Sequence, residues 1–243
     1  MEKDKIFEEK KLGGQDFKFG EKVVQVFDDM VSRSVPLYPE IQRMVAELAA
    51  TYSMEGTDIY DMGCSTGTTF LALDPIVPES VSFVGIDNSQ EMLDKCEQRF
   101  REKNIKRIYT LKYADLNGTV SVSNASIVIM CLTLQFVRPM NRQRMLESIF
   151  EGVIPGGCVL LVEKVLAEDS DFNRDFIDFY YQMKRRNDYS DLEIARKREA
   201  LENVLVPYKT SENIAMLRQV GFSRCEIFFK WYNFVGIIAK KGI

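Results

Sequence analysis

The chain has 243 residues, of which 46% are hydrophobic and 28% charged, with a formal net charge of -4 at pH 7. That is enough for one well-buried α/β domain with an insertion. Nowhere does an apolar run approach the about 18 residues a membrane span needs. There is no histidine, which removes the commonest general base and the commonest metal ligand, and the acidic balance argues against a protein that grips a whole nucleic acid.

The five cysteines, Cys64, Cys96, Cys131, Cys158 and Cys225, are odd in number and scattered, without a Cys-x-x-Cys pair. They read as reduced thiols of a cytoplasmic protein and not as a disulfide or zinc framework, so no metal is expected. The charged start, Met1 to Lys5, has no apolar core behind it and shows no secretory signal.

Residues 1–20 read as an N-terminal tail, and 21–243 as a single α/β domain. From 21 to 34, Val23, Val24, Val26, Phe27, Met30 and Val31 recur at helical spacing until Pro36 ends the pattern. A second helix is expected over 39–53, with Ile41, Met44, Val45, Leu48 and Ala49 inward. Tyr38 falls in the link between them, where its plain reading is a half-buried amphipathic anchor.

The stretch Thr57-Asp58-Ile59-Tyr60-Asp61-Met62-Gly63-Cys64-Ser65-Thr66-Gly67 reads as a strand, a glycine-bearing turn and a helix start. Val81 to Asp87 follows as a second strand with an acid at its tip. A buried parallel strand must turn sharply into its helix, and Gly63 and Gly67 suit that turn because they lack a Cβ. The amides opening the helix then face a ligand. Asp87 is placed to accept hydrogen bonds from both hydroxyls of a ribose. Ser65 stands where a dinucleotide-binding loop carries its middle glycine, and Asp61 suits a cationic ligand better than a phosphate. The alternative is a glycine turn in some other doubly wound domain.

Ser89 is the expected cap of a helix carrying Met92, Leu93, Cys96 and Phe100. A third strand over 107–113 ends at Asp115, which lies beside an adenine or is an ordinary turn aspartate before Asn117-Gly118. The apolar run 125–131 should be the central strand, delivering Cys131-Leu132-Thr133-Leu134-Gln135-Phe136 to the cleft. A helix over 141–151 follows, and Pro155-Gly156-Gly157 turns the chain into a fifth strand over 158–163.

Residues 164–208 break the alternation with a helical insertion, over 172–186 and 191–205. The second helix opens with the capping box Ser190-Asp191-Leu192-Glu193. Counted from Ile194, Leu201 and Leu205, Arg198 falls on its apolar stripe, where a buried guanidinium requires an anion, a structural carboxylate or a ligand carboxylate, unless the side chain snorkels to water. The chain ends with a helix over 212–220 and two antiparallel strands, 224–230 and 232–239.

The segments Arg33-Ser34-Val35-Pro36-Leu37-Tyr38, Asp61-Met62-Gly63-Cys64-Ser65, Ile86-Asp87-Asn88-Ser89, Thr133-Leu134-Gln135-Phe136 and, in the insertion, Lys184-Arg185, Tyr189 to Ile194 and Lys197 to Val204 closely resemble the carboxy-S-adenosylmethionine synthases. The resemblance covers about residues 20–240. It implies the class I S-adenosylmethionine-dependent methyltransferase-like (Rossmann-like) fold, a mostly parallel seven-stranded sheet with an antiparallel C-terminal strand. It also implies an enzyme that converts S-adenosylmethionine and prephenate into carboxy-S-adenosylmethionine and phenylpyruvate. A separate tRNA carboxymethyltransferase would then use the product at a wobble uridine, so this chain need not bind nucleic acid itself.

Carried over by position, Tyr38, Gly63, Cys64, Ser65, Asp87, Asn88, Asp115 and Leu116 would line the S-adenosylmethionine site. Arg198 would bind the new carboxylate, contributed across a homodimer, and Arg198 and Tyr38 form the implied catalytic pair. Cys131 departs from the family pattern, which has asparagine there; a thiol is the weaker hydrogen-bonding group. Two rivals stand beside this reading: an ordinary methyltransferase acting on a small acid or RNA, and a non-catalytic cofactor-binding subunit.

Overall fold

The computed structural model describes residues 21–243, with side chains from Val23 onward; the tail expected over 1–20 lies outside them. Seven strands, β1 (Asp58–Met62), β2 (Ser82–Asp87), β3 (Tyr109–Tyr113), β4 (Ala125–Cys131), β5 (Val153–Lys164), β6 (Arg224–Trp231) and β7 (Phe234–Lys240), form one sheet in the order β3-β2-β1-β4-β5-β7-β6. The first five are parallel, and β7 lies antiparallel between β5 and β6. This is the mostly parallel sheet that the strand order in sequence leads one to expect, with β7 as the strand that reverses. Strand order changes direction between β1 and β4, which opens a crevice at their carboxyl ends.

Among the described residues eight α-helices cover the sheet: α1 (Glu21–Ser34), α2 (Tyr38–Tyr52), α3 (Thr68–Leu73), α4 (Gln90–Glu102), α5 (Pro139–Gly152), α6 (Ser170–Arg186), α7 (Asp191–Leu201) and α8 (Thr210–Gln219). Alternate strand residues feed two cores. Ile59, Ile127, Ile129, Leu160 and Val162 pack toward α1 to α4 and α6. Tyr60, Met62, Val128, Met130 and Leu161 pack toward α5 and α8. Each such side chain taken fully out of water contributes about 1.5 to 3 kcal/mol, which is why β4 is apolar along its whole length.

Several element ends differ from the sequence expectations. α6 begins at Ser170, not 172, because Asp169 accepts the amides of Asp171 and Phe172 at 2.8 and 3.2 Å. Tyr38 is the first residue of α2 rather than part of the link. α7 stops at Leu201, so Leu205 is not on it. The Pro155-Gly156-Gly157 segment lies within β5, at a register irregularity against β4, instead of preceding the strand. The expected caps are present: Ser89 on α4, and the reciprocal Ser190–Glu193 box on α7.

The insertion closes back on the sheet. Leu166 bridges to Lys209, and the fully buried Arg142 donates to the carbonyls of Val137, Gln135 and Val206 at 2.9, 3.3 and 2.7 Å. α6 and α7 are fastened to the end of α1. The Tyr180 hydroxyl donates to Ser34 O at 2.9 Å, and Arg33 and Asn187 exchange side-chain-to-backbone bonds at 2.9 Å. No helix among the described residues is long and apolar enough to cross a membrane.

Candidate active site

At the carboxyl ends of β1, β2, β4 and β5 lies a cavity of about 930 Å³. Ten residues singled out from the sequence line it: Tyr38, Gly63, Cys64, Ser65, Asp87, Asn88, Asp115, Leu116, Cys131 and Arg198; Asp61 and Gly67 do not. They come from six separate stretches of chain.

The turn after β1 needs its glycines. Gly63 and Gly67 have φ of 82° and 78°, the region in which a Cβ is unfavourable. A Cβ on Gly63 would also stand 2.6 Å from Thr133 Oγ1, and one on Gly67 2.5 Å from Cys96 Sγ. The turn therefore nests against both α4 and the loop after β4. Ser65, also left-handed at φ 48°, aims its amide at Asp87 Oδ2, 2.9 Å away.

Asp87 is buried, and its other oxygen accepts the Ser89 amide at 2.9 Å. Burial raises its pKa, opposed by the backbone amides it accepts. Each carboxylate oxygen keeps a further lone pair for a ligand hydroxyl. Asp115 accepts the backbone and side-chain amides of Asn117 at 2.9 and 3.0 Å. It is thus a turn aspartate that also faces the cavity. Asp61 is not in the cavity wall. It is buried beneath the turn with Oδ1 unpartnered, and burial pushes its carboxyl up to about 7.

On the opposite wall, Leu132 takes a left-handed conformation at φ 62°. The following turn, Leu134–Phe136, is held by a group that sequence reasoning missed. Glu163, buried near the end of β5, accepts the amides of Thr133 and Leu134 on Oε1 at 3.0 and 2.8 Å, and that of Gln135 on Oε2 at 2.8 Å. The signal available was one acid in an otherwise apolar strand. Cys131 Sγ accepts from Gln42 Nε2 at 3.6 Å, burial holds the thiol far above its ordinary pKa, and Gln42 Oε1 has no partner.

The third wall is made by α1, the start of α2 and the insertion. Tyr38 is half-buried and packed on the core; burial first, then the negative charge near Cys131 and Asp61, raises its hydroxyl pKa. Arg198 does not occupy the buried stripe of α7. It is exposed while still lining the cavity, and Glu193, Ile194 and Lys197 form the buried face. The helix ends before Leu205, and the face it buries runs through Glu193, Ile194 and Lys197, which leaves Arg198 at its edge. Arg198 here lines its own chain's cavity, whereas the resemblance implied delivery from a neighbouring subunit.

Three lysines that the sequence reading did not single out also line the cavity: Lys164 on β5, Lys184 on α6 and Lys197 on α7. The ammonium groups of Lys164 and Lys184 stand 4.8 and 4.7 Å from the centre of the Tyr180 ring. Burial lowers the Lys164 pKa to about 8. The cavity therefore has an acidic end, with Asp87 in its wall and Asp61 beneath it, and a basic, aromatic end. Such a division suits a cationic nucleoside together with an anionic second ligand. No cluster of metal-ligating side chains occurs among the described residues.

Comparison with other proteins agrees with this geometry. Residues 59–157 match the family model described as a methyltransferase domain. The chain is 53% identical, over 99% of its own length and all of the relative's, to a protein of Methylococcus capsulatus named carboxy-S-adenosyl-L-methionine synthase. Proteins of that name from Desulfotalea psychrophila and Helicobacter pylori are 41% and 42% identical, each over 93% of this chain and 93% and 94% of theirs. Among solved structures, an O-methyltransferase family protein of Burkholderia thailandensis superposes with a TM-score of 0.67 at 15% identity, over 91% of this chain and 60% of that one. A putative O-methyltransferase from Nostoc punctiforme gives 0.66 at 15%, over 95% and 64%. These structures share the fold.

Proposed function

The chain belongs to the carboxy-S-adenosyl-L-methionine synthase family, enzymes of the S-adenosylmethionine-dependent methyltransferase superfamily, and from that premise we propose that it converts S-adenosylmethionine and prephenate into carboxy-S-adenosylmethionine and phenylpyruvate. The observation that carries the proposal is that one cavity is lined both by Asp87 and Asp115 and by Lys164, Lys184, Lys197 and Arg198, a mixture that supports a cationic nucleoside beside an anionic second reactant. A methyltransferase acting on a neutral acceptor has no use for four cations lining its cofactor cavity.

In the proposed reaction prephenate aromatises by losing carbon dioxide and hydroxide. The hydroxide takes a proton from the sulfonium methyl group, and the resulting carbanion adds to the carbon dioxide. No histidine base is required, which matches a chain that has none. The protein holds the two reactants together, keeps water out and stabilises charge. In this reading Tyr38, Gly63, Cys64, Ser65, Asp87, Asn88, Asp115, Leu116 and Cys131 line the S-adenosylmethionine site, and Arg198 meets the carboxylate of the product. A homodimer and a separate tRNA carboxymethyltransferase that consumes the product belong to the same proposal.

The test is to incubate the purified protein with S-adenosylmethionine and prephenate and to follow both products by mass spectrometry. Formation of the carboxylated nucleoside with phenylpyruvate in equal amount supports the proposal. Unchanged S-adenosylmethionine would overturn it in favour of an ordinary methyltransferase awaiting its acceptor.

A further inference from the structure

We propose that the basic end of the cavity is a subsite for a dicarboxylic acid, in which the ammonium group of Lys164 holds one of the two carboxylates. The inference rests on the reaction proposed above and names the residue that receives its acid co-substrate.

Lys164 is the last residue of β5, two residues beyond Val162, whose register partner on β4 is Cys131. It therefore stands at the same carboxyl edge of the sheet as the nucleoside end of the site. Lys164 is half-buried in the cavity wall, and burial is the sole cause of its lowered pKa. Among the described residues it forms no ion pair with a carboxylate. Its neighbour Glu163 is committed to the amides of Thr133, Leu134 and Gln135. What Lys164 does have is the face of Tyr180, which compensates only part of the desolvation cost. A half-buried cation in a cavity wall without a carboxylate is completed by an anionic ligand.

The surroundings favour two carboxylates over one. Lys184 stands over the same ring, and Lys197 and Arg198 line the same cavity from α7. The Tyr180 ring that both ammonium groups approach is fixed by its hydroxyl bond to Ser34 O, and Tyr181 adds a second aromatic surface to the lining. An acid with two charged ends on a small hydrocarbon frame meets cations at its ends and rings along its body. Lysines, as compact point charges, suit separate carboxylates; planar bidentate recognition would call for arginine.

The test compares Lys164→Met, an apolar replacement of similar length, with Lys164→Arg, which keeps the charge. Prephenate is titrated calorimetrically into each protein saturated with S-adenosylhomocysteine, and S-adenosylmethionine binding and thermal unfolding are measured in parallel. Lys164→Met should bind prephenate at least about tenfold more weakly, as loss of one charge-assisted contact implies. Its S-adenosylmethionine affinity and melting temperature should stay close to those of the unsubstituted protein, and Lys164→Arg should recover most of the loss. Unchanged prephenate affinity in Lys164→Met, or equal losses for both ligands, overturns the subsite. If the unsubstituted protein makes no carboxylated product, the reaction proposal falls separately. Malonate titrated in the same way then decides the subsite: binding lost in Lys164→Met supports it, and no binding by the unsubstituted protein overturns it.

Discussion

Glu163 Oε1 accepts the backbone amide of Leu134 at 2.8 Å, so the final turn of β5 holds in place the loop that leaves β4. The loop's shape is thereby set by an ionisable group. Burial pushes the Glu163 carboxyl up to about 8 against an ordinary value of 4.5. A raised carboxyl pKa means that the folded chain holds a proton that the unfolded chain has released. Its contribution is complete below pH 4.5 and is lost as pH rises toward 8. Glu163→Gln cannot titrate there. Between pH 6 and pH 9 the native protein should lose on the order of 2 kcal/mol relative to this variant, read as the gap between their urea-unfolding curves. Parallel pH profiles would refute it.

Asp87 spends both oxygens on backbone amides, at Ser65 and at Ser89. Asp87→Asn presents an amide donor to one of those donors. We expect a stability loss of about 1 to 3 kcal/mol and a marked loss of S-adenosylmethionine binding, because the glycine turn and the ribose acceptor depend on the same carboxylate. Calorimetric binding and thermal unfolding read the two effects; a variant that unfolds earlier yet binds normally would separate them and remove Asp87 from the ligand site.

Arg198→Ala should weaken binding of carboxy-S-adenosylmethionine more than that of S-adenosylmethionine, since only the former carries the extra carboxylate. Exposure of the guanidinium puts the differential near the low end of the charge-assisted range, about 1.5 kcal/mol. The differential should shrink with added salt. Equal losses for the two ligands across a salt series would contradict the assignment.

Cys131 meets only one end of the Gln42 side-chain amide, leaving Oε1 buried without a partner. Cys131→Asn offers both a donor and an acceptor to that amide. The substitution should raise stability by about 1 kcal/mol and tighten S-adenosylmethionine binding. A melting temperature and a binding constant unchanged by Cys131→Asn would show that the thiol is already the better fit.

Much of this protein was determined by local patterns. The apolar run of β4, the glycines of the turn after β1, the Ser89 cap and the Ser190–Glu193 box each follow from interactions within a few residues, and period-2 and period-3.6 spacing report them directly. Asp87 was legible as the acid at a strand tip, and the departure at Cys131 as one residue in a segment otherwise similar to a family. Only the tertiary structure decided which cation of α7 is buried. Arg198 and Lys197 are neighbours on one helix, and the choice between them depends on where that helix stops and which face α1 covers. Glu163 and Lys164 were equally hidden, because their roles lie in the amides of residues 133–135 and in the ring of Tyr180, partners remote in sequence. The charge division of the cavity is likewise a product of folding: long-range packing brings β5, α6 and α7 to one end, and no local pattern in the chain encodes that meeting.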